Sequence, residues 1–160
     1  MKCDKITFIT LFICKIYRVE PPVLKVPKVY ILLYMNFKYT IDITADPEEV
    51  FTALTNPFQI ELWSGYPAEM KAEEGFVFSL WEGDICGVNL EVKPNRLLVQ
   101  EWFFGETDQR SIVTIKLKKD GPRTRVELEH TNIPDEVFEE IVEGWKEYYL
   151  GSIKGLLEMY

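Results

Sequence analysis

Hydrophobic and polar residues alternate strictly between Asn36 and Thr44. The apolar positions of this stretch are Phe37, Tyr39, Ile41 and Ile43. A period of two residues places successive side chains on opposite faces of a β-strand. The pattern therefore predicts a strand with one buried face and one solvated face.

Two short helices are predicted directly after this strand. The first begins at Asp46-Pro47-Glu48-Glu49, where the aspartate can cap the helix, the proline suits the first turn and the second glutamate completes a capping box. Asn56-Pro57 repeats the cap and the proline, and we expect the second helix to end near Trp63.

The chain then continues as a series of strands joined by short turns. Turn residues such as Glu82-Gly83-Asp84, Lys93-Pro94-Asn95 and Asp120-Gly121-Pro122 separate alternating apolar stretches. The predicted strands are Gly75–Trp81, Asp84–Val92, Arg96–Phe104, Ser111–Lys119 and Thr124–His130. Consecutive strands with short connections predict an antiparallel meander.

The spacing of apolar residues changes after Pro134. From Val137 to Leu157 they recur about every 3.6 residues, which predicts a helix of about six turns. The order of these elements is typical of an α+β helix-grip fold. In that fold a curved antiparallel β-meander wraps around a long C-terminal helix, and two short helices follow the first strand.

The inner faces of the sheet and the C-terminal helix are expected to enclose a cavity of roughly a few hundred Å³. The predicted ligand-binding residues are Trp63, Phe78, Val88, Gln100, Trp102, Phe104, Val113, His130, Ile141, Trp145 and Tyr149. Strand alternation directs Trp81 outward. Gly144, Gly151 and Gly155 weaken the helix, so we expect them to permit close approach to the sheet or to form the cavity floor.

Two residues are candidates for chemistry. An unperturbed imidazole pKa near 6.5 would suit His130 as a general base. Nothing in the sequence places a carboxylate or a hydroxyl nucleophile beside it, so we favour a structural or pocket-wall histidine. We interpret Cys86 as a small buried hydrophobe rather than a reactive thiol. No catalytic residue is assigned.

Composition excludes several classes of protein. The 160 residues carry a formal net charge of −8, which disfavours binding to nucleic acid. One histidine, and three cysteines without a Cys-x-x-Cys pair, offer neither a zinc site nor a redox couple, so we expect no metal and no cofactor. The odd cysteine count favours a cytoplasmic location. The acidic residues of the predicted C-terminal helix are interpreted as a solvated face.

Residues 1–34 differ in composition from the rest of the chain. They hold six lysines and arginines but only two carboxylates, and they include an apolar run from Ile6 to Cys14. The run is too short to span a bilayer, so we expect no membrane span. Three alternatives remain for residues 1–34: a segment that only superficially resembles a signal peptide, an added strand or hairpin of the domain, and upstream sequence translated from a wrong start codon. We favour the last, because Met35 directly precedes the first predicted strand, and we assign the domain to residues 35–160.

A series of short motifs runs in one order from Met35 to the C-terminus. They are Ala53-Leu54-Thr55-Asn56-Pro57, Trp63, Glu74-Gly75-Phe76-Val77-Phe78, Gly87-Val88, Pro94 with Arg96-Leu97, Glu101-Trp102, Thr124-Arg125-Val126-Glu127-Leu128, His130-Thr131 and Gly144-Trp145. This order resembles the activator of heat-shock protein 90 ATPase homologue family, within the START-like (SRPBCC) superfamily. Glu74-Gly75 stands where the family often has a Gly-Gly pair, and residues 1–34 match nothing in it.

The resemblance implies a helix-grip fold with a deep apolar cavity. The superfamily includes lipid and hormone carriers, polyketide cyclases and co-chaperone domains, and a shared fold does not select among them. Few titratable groups lie on the predicted inner face, so we favour non-enzymatic binding of a small apolar or aromatic ligand. The alternatives are a domain that interacts with the chaperone Hsp90 and activates its ATPase, and a cyclase- or hydrolase-type enzyme that uses the same cavity. We expect a monomer or a weak dimer.

Overall fold

The computed structural model describes residues 33–104 and 109–159, so the predicted N-terminal extension lies outside it except for its last two residues. This part contains one sheet of six antiparallel strands. The strands are β1 (Tyr34–Ile43), β2 (Val77–Leu80), β3 (Ile85–Lys93), β4 (Leu97–Trp102), β5 (Ser111–Asp120) and β6 (Arg123–Pro134). Their spatial order is β1-β6-β5-β4-β3-β2, which confirms the meander and sets β1 beside β6.

Most strand boundaries differ from the prediction by a few residues. β1 begins at Tyr34, before Met35. β4 ends at Trp102, so Phe104 lies beyond the strand, and β6 continues past His130 to Pro134. Strand ends depend on pairing with neighbours as well as on the local pattern, which explains these shifts.

Two short helices, α1 (Pro47–Thr55) and α2 (Pro57–Ser64), follow β1 as predicted. The Glu49 carboxylate accepts a hydrogen bond of 2.8 Å from the backbone N–H of Asp46. The Asn56 side chain accepts two bonds, of 3.0 and 3.2 Å, from backbone N–H groups in the first turn of α2. These side chains pair with groups that a helix otherwise leaves unsatisfied at its N-terminus, which is why the helices begin here.

The predicted C-terminal helix (residues 138–157) is present and consists of three segments. After a 3₁₀ turn at Asp135–Val137 they are α3 (Phe138–Glu143), a π-helical segment (Gly144–Tyr149) and α4 (Leu150–Leu157). The sheet is curved, and the helix packs on its inner face. A π-helical segment inserts extra backbone into a helix and often occurs at functional sites. The apolar spacing did not predict it.

The helix glycines do not permit close approach to the sheet, so this alternative is wrong, and the alternative of a cavity floor stays a prediction. A Cβ added at Gly144 or Gly155 would meet no atom within 4 Å. A Cβ at Gly151 would clash with the carbonyl oxygen of Lys146 in the same helix. Gly151 is therefore required by the wide π-helical turn that precedes it.

Side chains from the inner face of the sheet and from the C-terminal helix form the core. Trp145 and Ile153 of the helix are buried together with Phe78, Ile115 and Leu128 of the sheet. Burial of such large apolar side chains is the main stabilising contribution in a domain of this size. The core therefore occupies the region in which the ligand cavity was predicted.

Candidate functional site

Cross-strand pairing brings five of the predicted ligand-binding residues, Phe78, Gln100, Trp102, Val113 and His130, onto one face of the sheet. One row of paired residues consists of Phe78, Gly87, Trp102 and Ser111. The adjacent row consists of Asn89, Gln100, Val113, His130 and Phe37. Directly paired residues of antiparallel strands point to the same face, so both rows face the C-terminal helix.

Val88 lies on the outer face of the sheet, so its assignment to the cavity lining is wrong. It pairs with Val77, which is 52% exposed, and with Glu101. A register shift between Asn89 and Glu91 inserts an extra residue into β3. A single alternation therefore cannot hold along the whole strand.

Trp81 turns toward the core, contrary to the outward direction predicted from alternation. β2 ends at Leu80, and Trp81 begins a 3₁₀ turn (Trp81–Gly83) with a left-handed φ of 48°. The centroid of its ring lies 5.4 Å from that of Trp63 and 5.7 Å from that of Tyr149. Alternation fails here because the backbone leaves the extended conformation at this residue.

Aromatic rings fill much of the space between the sheet and the C-terminal helix. The ring centroids of Trp102 and Trp145 are 4.8 Å apart, and those of Trp145 and Tyr149 are 4.5 Å apart. Trp63 extends the cluster at 4.9 Å from Tyr149. Rings at these separations are in contact and contribute to stability. A ligand cavity among these buried side chains stays a prediction.

The other predicted residues of the inner face surround this aromatic cluster. Phe78 and Val113 are fully buried. Phe104 is half-buried, with its ring centroid 6.0 Å from that of His130. Ile141 is partly buried against the core from the helix side. Apart from Val88, the structure thus brings the predicted site residues into one region of the fold.

His130 joins two buried side chains through hydrogen bonds. The indole Nε1 of Trp145 donates to its Nδ1 at 3.0 Å, and its Nε2 lies 2.9 Å from Ser111 Oγ. An indole N–H can only donate, so Nδ1 is unprotonated and Nε2 carries the hydrogen. Ser111 accepts that hydrogen and donates its own to the Thr131 carbonyl oxygen at 3.3 Å. Nothing in the sequence indicated that the Ser111 hydroxyl lies beside His130.

The same hydrogen bonds determine what His130 does. Its side chain is fully buried, and burial lowers its pKa to about 3, so it is neutral at pH 7. A general base for Ser111 would have to accept the serine proton, whereas this histidine donates to the serine. The arrangement is that of a structural histidine.

Gln100 belongs to a second buried network. Trp102 Nε1 donates to Gln100 Oε1 at 3.2 Å, and Gln100 Nε2 donates to Asn89 Oδ1 at 2.8 Å. Asn89 Nδ2 donates to the carbonyl oxygen of Lys71 at 2.7 Å. Asn89 and Ser111 were not among the predicted site residues, although a polar residue within an apolar strand was a signal that could have identified Asn89.

The Tyr149 hydroxyl is buried and has no hydrogen-bond partner in the described residues. The residue is 2% exposed and ends the π-helical segment. Burial raises the pKa of this hydroxyl. An unpaired buried hydroxyl is unfavourable, so Tyr149 is a candidate to bind a polar group of a ligand.

Residues 44–158 match the model of the protein family described as Activator of Hsp90 ATPase homolog 1-like protein. This chain belongs to that family. The activator of 90 kDa heat shock protein ATPase homolog from Dictyostelium discoideum is 34% identical over 122 residues, which are 74% of this chain and 32% of that protein. Homolog 1 from Homo sapiens is 27% identical over 138 residues, 84% of this chain and 39% of that protein. The chain thus spans only about a third of the length of these curated relatives.

Solved structures similar to this chain confirm the fold. A crystal structure of an HSP90 activator from Plasmodium falciparum matches with a TM-score of 0.72 and 29% identity, covering 77% of this chain and 96% of that chain. The solution structure of the Aha1 dimer from Colwellia psychrerythraea matches with a TM-score of 0.68 and 19% identity, over 78% and 97% of the two chains. The second similarity shows the fold alone.

Within residues 33–104 and 109–159, no group of three or more His, Cys, Asp or Glu side chains is arranged to hold a metal ion. No helix in the same ranges is long and apolar enough to cross a membrane.

Proposed function

We propose that this protein binds an Hsp90-type chaperone and stimulates its ATPase. The observation that carries the proposal is the similarity to the Plasmodium falciparum protein described as an HSP90 activator, because this chain covers 96% of it at a TM-score of 0.72. The similarity thus includes nearly the whole of that activator's structure. Family membership over residues 44–158 supports the same function.

The chaperone would contact the protein surface, since close-packed rings occupy much of the interior. Phe58 and Leu62 are 65% and 52% exposed and lie one helical turn apart on α2, and together they form what we call the α2 strip. Neighbouring exposed apolar side chains favour contact with a partner that removes them from water. We therefore propose that Hsp90 covers the α2 strip.

The first experiment measures the ATPase rate of purified Hsp90 as this protein is added. We expect a saturable increase in the rate. An ATP-competitive Hsp90 inhibitor should abolish the increase, which excludes a contaminating ATPase. A protein that neither changes the rate nor binds Hsp90 in calorimetry would contradict the proposal.

Substitutions then test the α2 strip. Phe58→Ser combined with Leu62→Ser should raise the half-maximal concentration at least about tenfold, which corresponds to about 1.4 kcal/mol of binding free energy. Val77→Ser is the matched control, because Val77 is also 52% exposed but lies on β2. If the control weakens stimulation as much as the double substitution does, the α2 strip is not the contact.

A second candidate function is the binding of a small apolar or aromatic ligand between the sheet and the C-terminal helix. The unpaired Tyr149 hydroxyl favours it, because a ligand oxygen or nitrogen would supply the missing hydrogen bond. The ligand would displace side chains around Trp102 and Trp145.

Native mass spectrometry of the purified protein tests this second candidate by detecting a molecule that co-purifies with it. Val113→Trp should fill the space and abolish ligand binding, at a cost of about 1–3 kcal/mol for overpacking. Val88→Trp is a control of the same volume on the outer face of the sheet. The absence of saturable binding across an apolar library would contradict a ligand cavity.

We propose no enzymatic reaction for this interior, because His130 donates a hydrogen bond to Ser111 rather than activating it. A cytoplasmic location and a monomeric or weakly dimeric state accord with a chaperone partner and stay predictions. Size-exclusion chromatography with light scattering measures the oligomeric state.

A further inference from the structure

A cleft of about 430 Å³ lies beside the Trp63 end of the aromatic cluster. It is formed by the end of α2, the 3₁₀ turn after β2 and the C-terminal helix. Its lining includes Trp63, Tyr66, Trp81, Tyr148, Glu82 and Asp84. Its size falls in the range of small-molecule sites. Four aromatic rings and two carboxylates thus meet in one concave surface.

The backbone of the 3₁₀ turn, which positions Trp81 and the two carboxylates, has an uncommon conformation. Trp81 and Glu82 have φ values of 48° and 55°, in the left-handed region that side chains other than glycine rarely adopt. The backbone N–H of Asp84 closes the turn by donating to the Trp81 carbonyl oxygen at 3.0 Å. The turn directs the Trp81 ring toward Trp63, while Glu82 and Asp84 remain exposed in the lining of the cleft. Backbone strain of this kind is often retained at functional sites.

The two carboxylates are not neutralised within the described part of the chain. Glu82 and Asp84 form no ion pair there, and no lysine or arginine lines the cleft. Partial burial, and to a lesser extent the charge of Glu82, raise the pKa of Asp84. The cleft therefore places negative charge beside aromatic side chains.

We propose that this cleft binds an organic cation whose ammonium group carries alkyl substituents. The faces of Trp and Tyr rings attract a cation within about 6 Å, and recognition of quaternary ammonium by aromatic rings uses this attraction. A neutral apolar ligand would desolvate the two carboxylates without compensation. A small hydrated metal ion would make no use of the indole rings. An alkylated ammonium group satisfies both the charge and the apolar walls.

Choline chloride is the probe, and the indole N–H signals of the isotope-labelled full chain are the readout in NMR. The chain has four tryptophans, of which Trp63 and Trp81 line the cleft and Trp102 and Trp145 do not. We expect saturable shifts of the Trp63 and Trp81 signals, with the other two unchanged. The neutral isostere of choline, in which a carbon replaces the charged nitrogen, should bind at least about tenfold more weakly.

Variants test the two carboxylates. Glu82→Gln combined with Asp84→Asn should weaken choline binding at least about tenfold and leave binding of the neutral isostere unchanged. Glu139→Gln combined with Glu147→Gln is the matched control, because it removes the same charge from exposed positions of the C-terminal helix outside the cleft. If the first double variant fails to fold, binding to the wild type is measured at increasing salt concentration instead. Screening should weaken binding of choline but not of the isostere.

The alkylated ammonium group occurs in free small molecules and on methylated lysine side chains. A further titration distinguishes these two sources. A short peptide that contains trimethyllysine is titrated in parallel with choline. Tighter binding of choline assigns the site to a free cation, and tighter binding of the peptide assigns it to a protein side chain. Either result supports the proposed chemistry.

Three results would overturn the proposal: equal affinity for choline and its isostere, shifts at Trp102 and Trp145 instead of Trp63 and Trp81, or no saturable shift up to about 10 mM choline. The titration requires no chaperone. Its outcome is therefore independent of whether the protein stimulates an Hsp90 ATPase.

Discussion

Lowering the pH should destabilise this fold through His130, well before most carboxylates are protonated. In the folded protein Nδ1 accepts a hydrogen bond from Trp145, and the imidazole is fully buried. A protonated ring has N–H groups at both nitrogens, so it cannot accept that bond, and its charge would be buried without a carboxylate partner. The unfolded chain carries no such constraint and takes up the proton freely.

The pKa values determine the sign and the size of the effect. His130 has a pKa of about 3 in the fold, against about 6.5 in the unfolded chain. Between these values the unfolded state binds more protons, so its population grows as the pH falls. The contribution of neutral His130 to the free energy of unfolding is complete above about pH 6.5, and it decreases by about 1.4 kcal/mol per pH unit below that value. It should therefore fall by about 3 kcal/mol by pH 4.

The assay is denaturant unfolding of the wild type and of His130→Gln at several values between about pH 7 and pH 4. The variant keeps the same carboxylates, so the difference between the two curves isolates the histidine, which is the only one in the chain. At neutral pH the substitution should cost about 0.5–3 kcal/mol. This cost should shrink by about 1.4 kcal/mol per pH unit on acidification.

A difference between the two proteins that stays constant across this range would refute the argument. It would mean that His130 is protonated equally in the folded and unfolded states. Direct titration of the histidine by NMR gives an independent check, because its ring signals in the fold should not shift between about pH 7 and pH 5.

Three further predictions concern glycine substitutions and the N-terminal segment, and all are measured by thermal unfolding. Gly155→Ala should stabilise the fold by about 0.5–1 kcal/mol, because the added Cβ meets no atom. Gly151→Ala should instead destabilise the fold by at least about 1 kcal/mol, because the added Cβ clashes with the Lys146 carbonyl oxygen. Equal effects of the two substitutions would contradict the role of the π-helical turn. Gly87→Ala should cost about 3 kcal/mol or more, because its Cβ would clash with the backbone oxygen of Glu101, and a neutral effect would refute that packing. Within the described residues, a chain that begins at Met35 loses only contacts at the end of β1, such as the pairing of Tyr34 with Pro134, so it should unfold at the same temperature as the whole chain or higher. A much lower midpoint would show that the residues before Met35 stabilise the domain.

Local features of the sequence determined the order and the kind of the elements. The alternation that begins at Phe37 and the caps at Asp46 and Asn56 act over a few residues, so they can be read without knowledge of the fold. The change to helical spacing after Pro134 predicted the C-terminal helix for the same reason. Together these patterns indicated the helix-grip fold that the structure confirms.

Only the tertiary structure decided which strand residues face the core and what the buried polar groups contact. Val88 lies outside and Asn89 inside because an extra residue in β3 shifts the register, and the alternation of a single strand does not reveal such an insertion. Ser111 lies beside His130, which is 19 residues away, because β5 and β6 are paired. Contacts between side chains distant in sequence depend on strand register, and register is determined by the packing of the whole sheet rather than by any one strand.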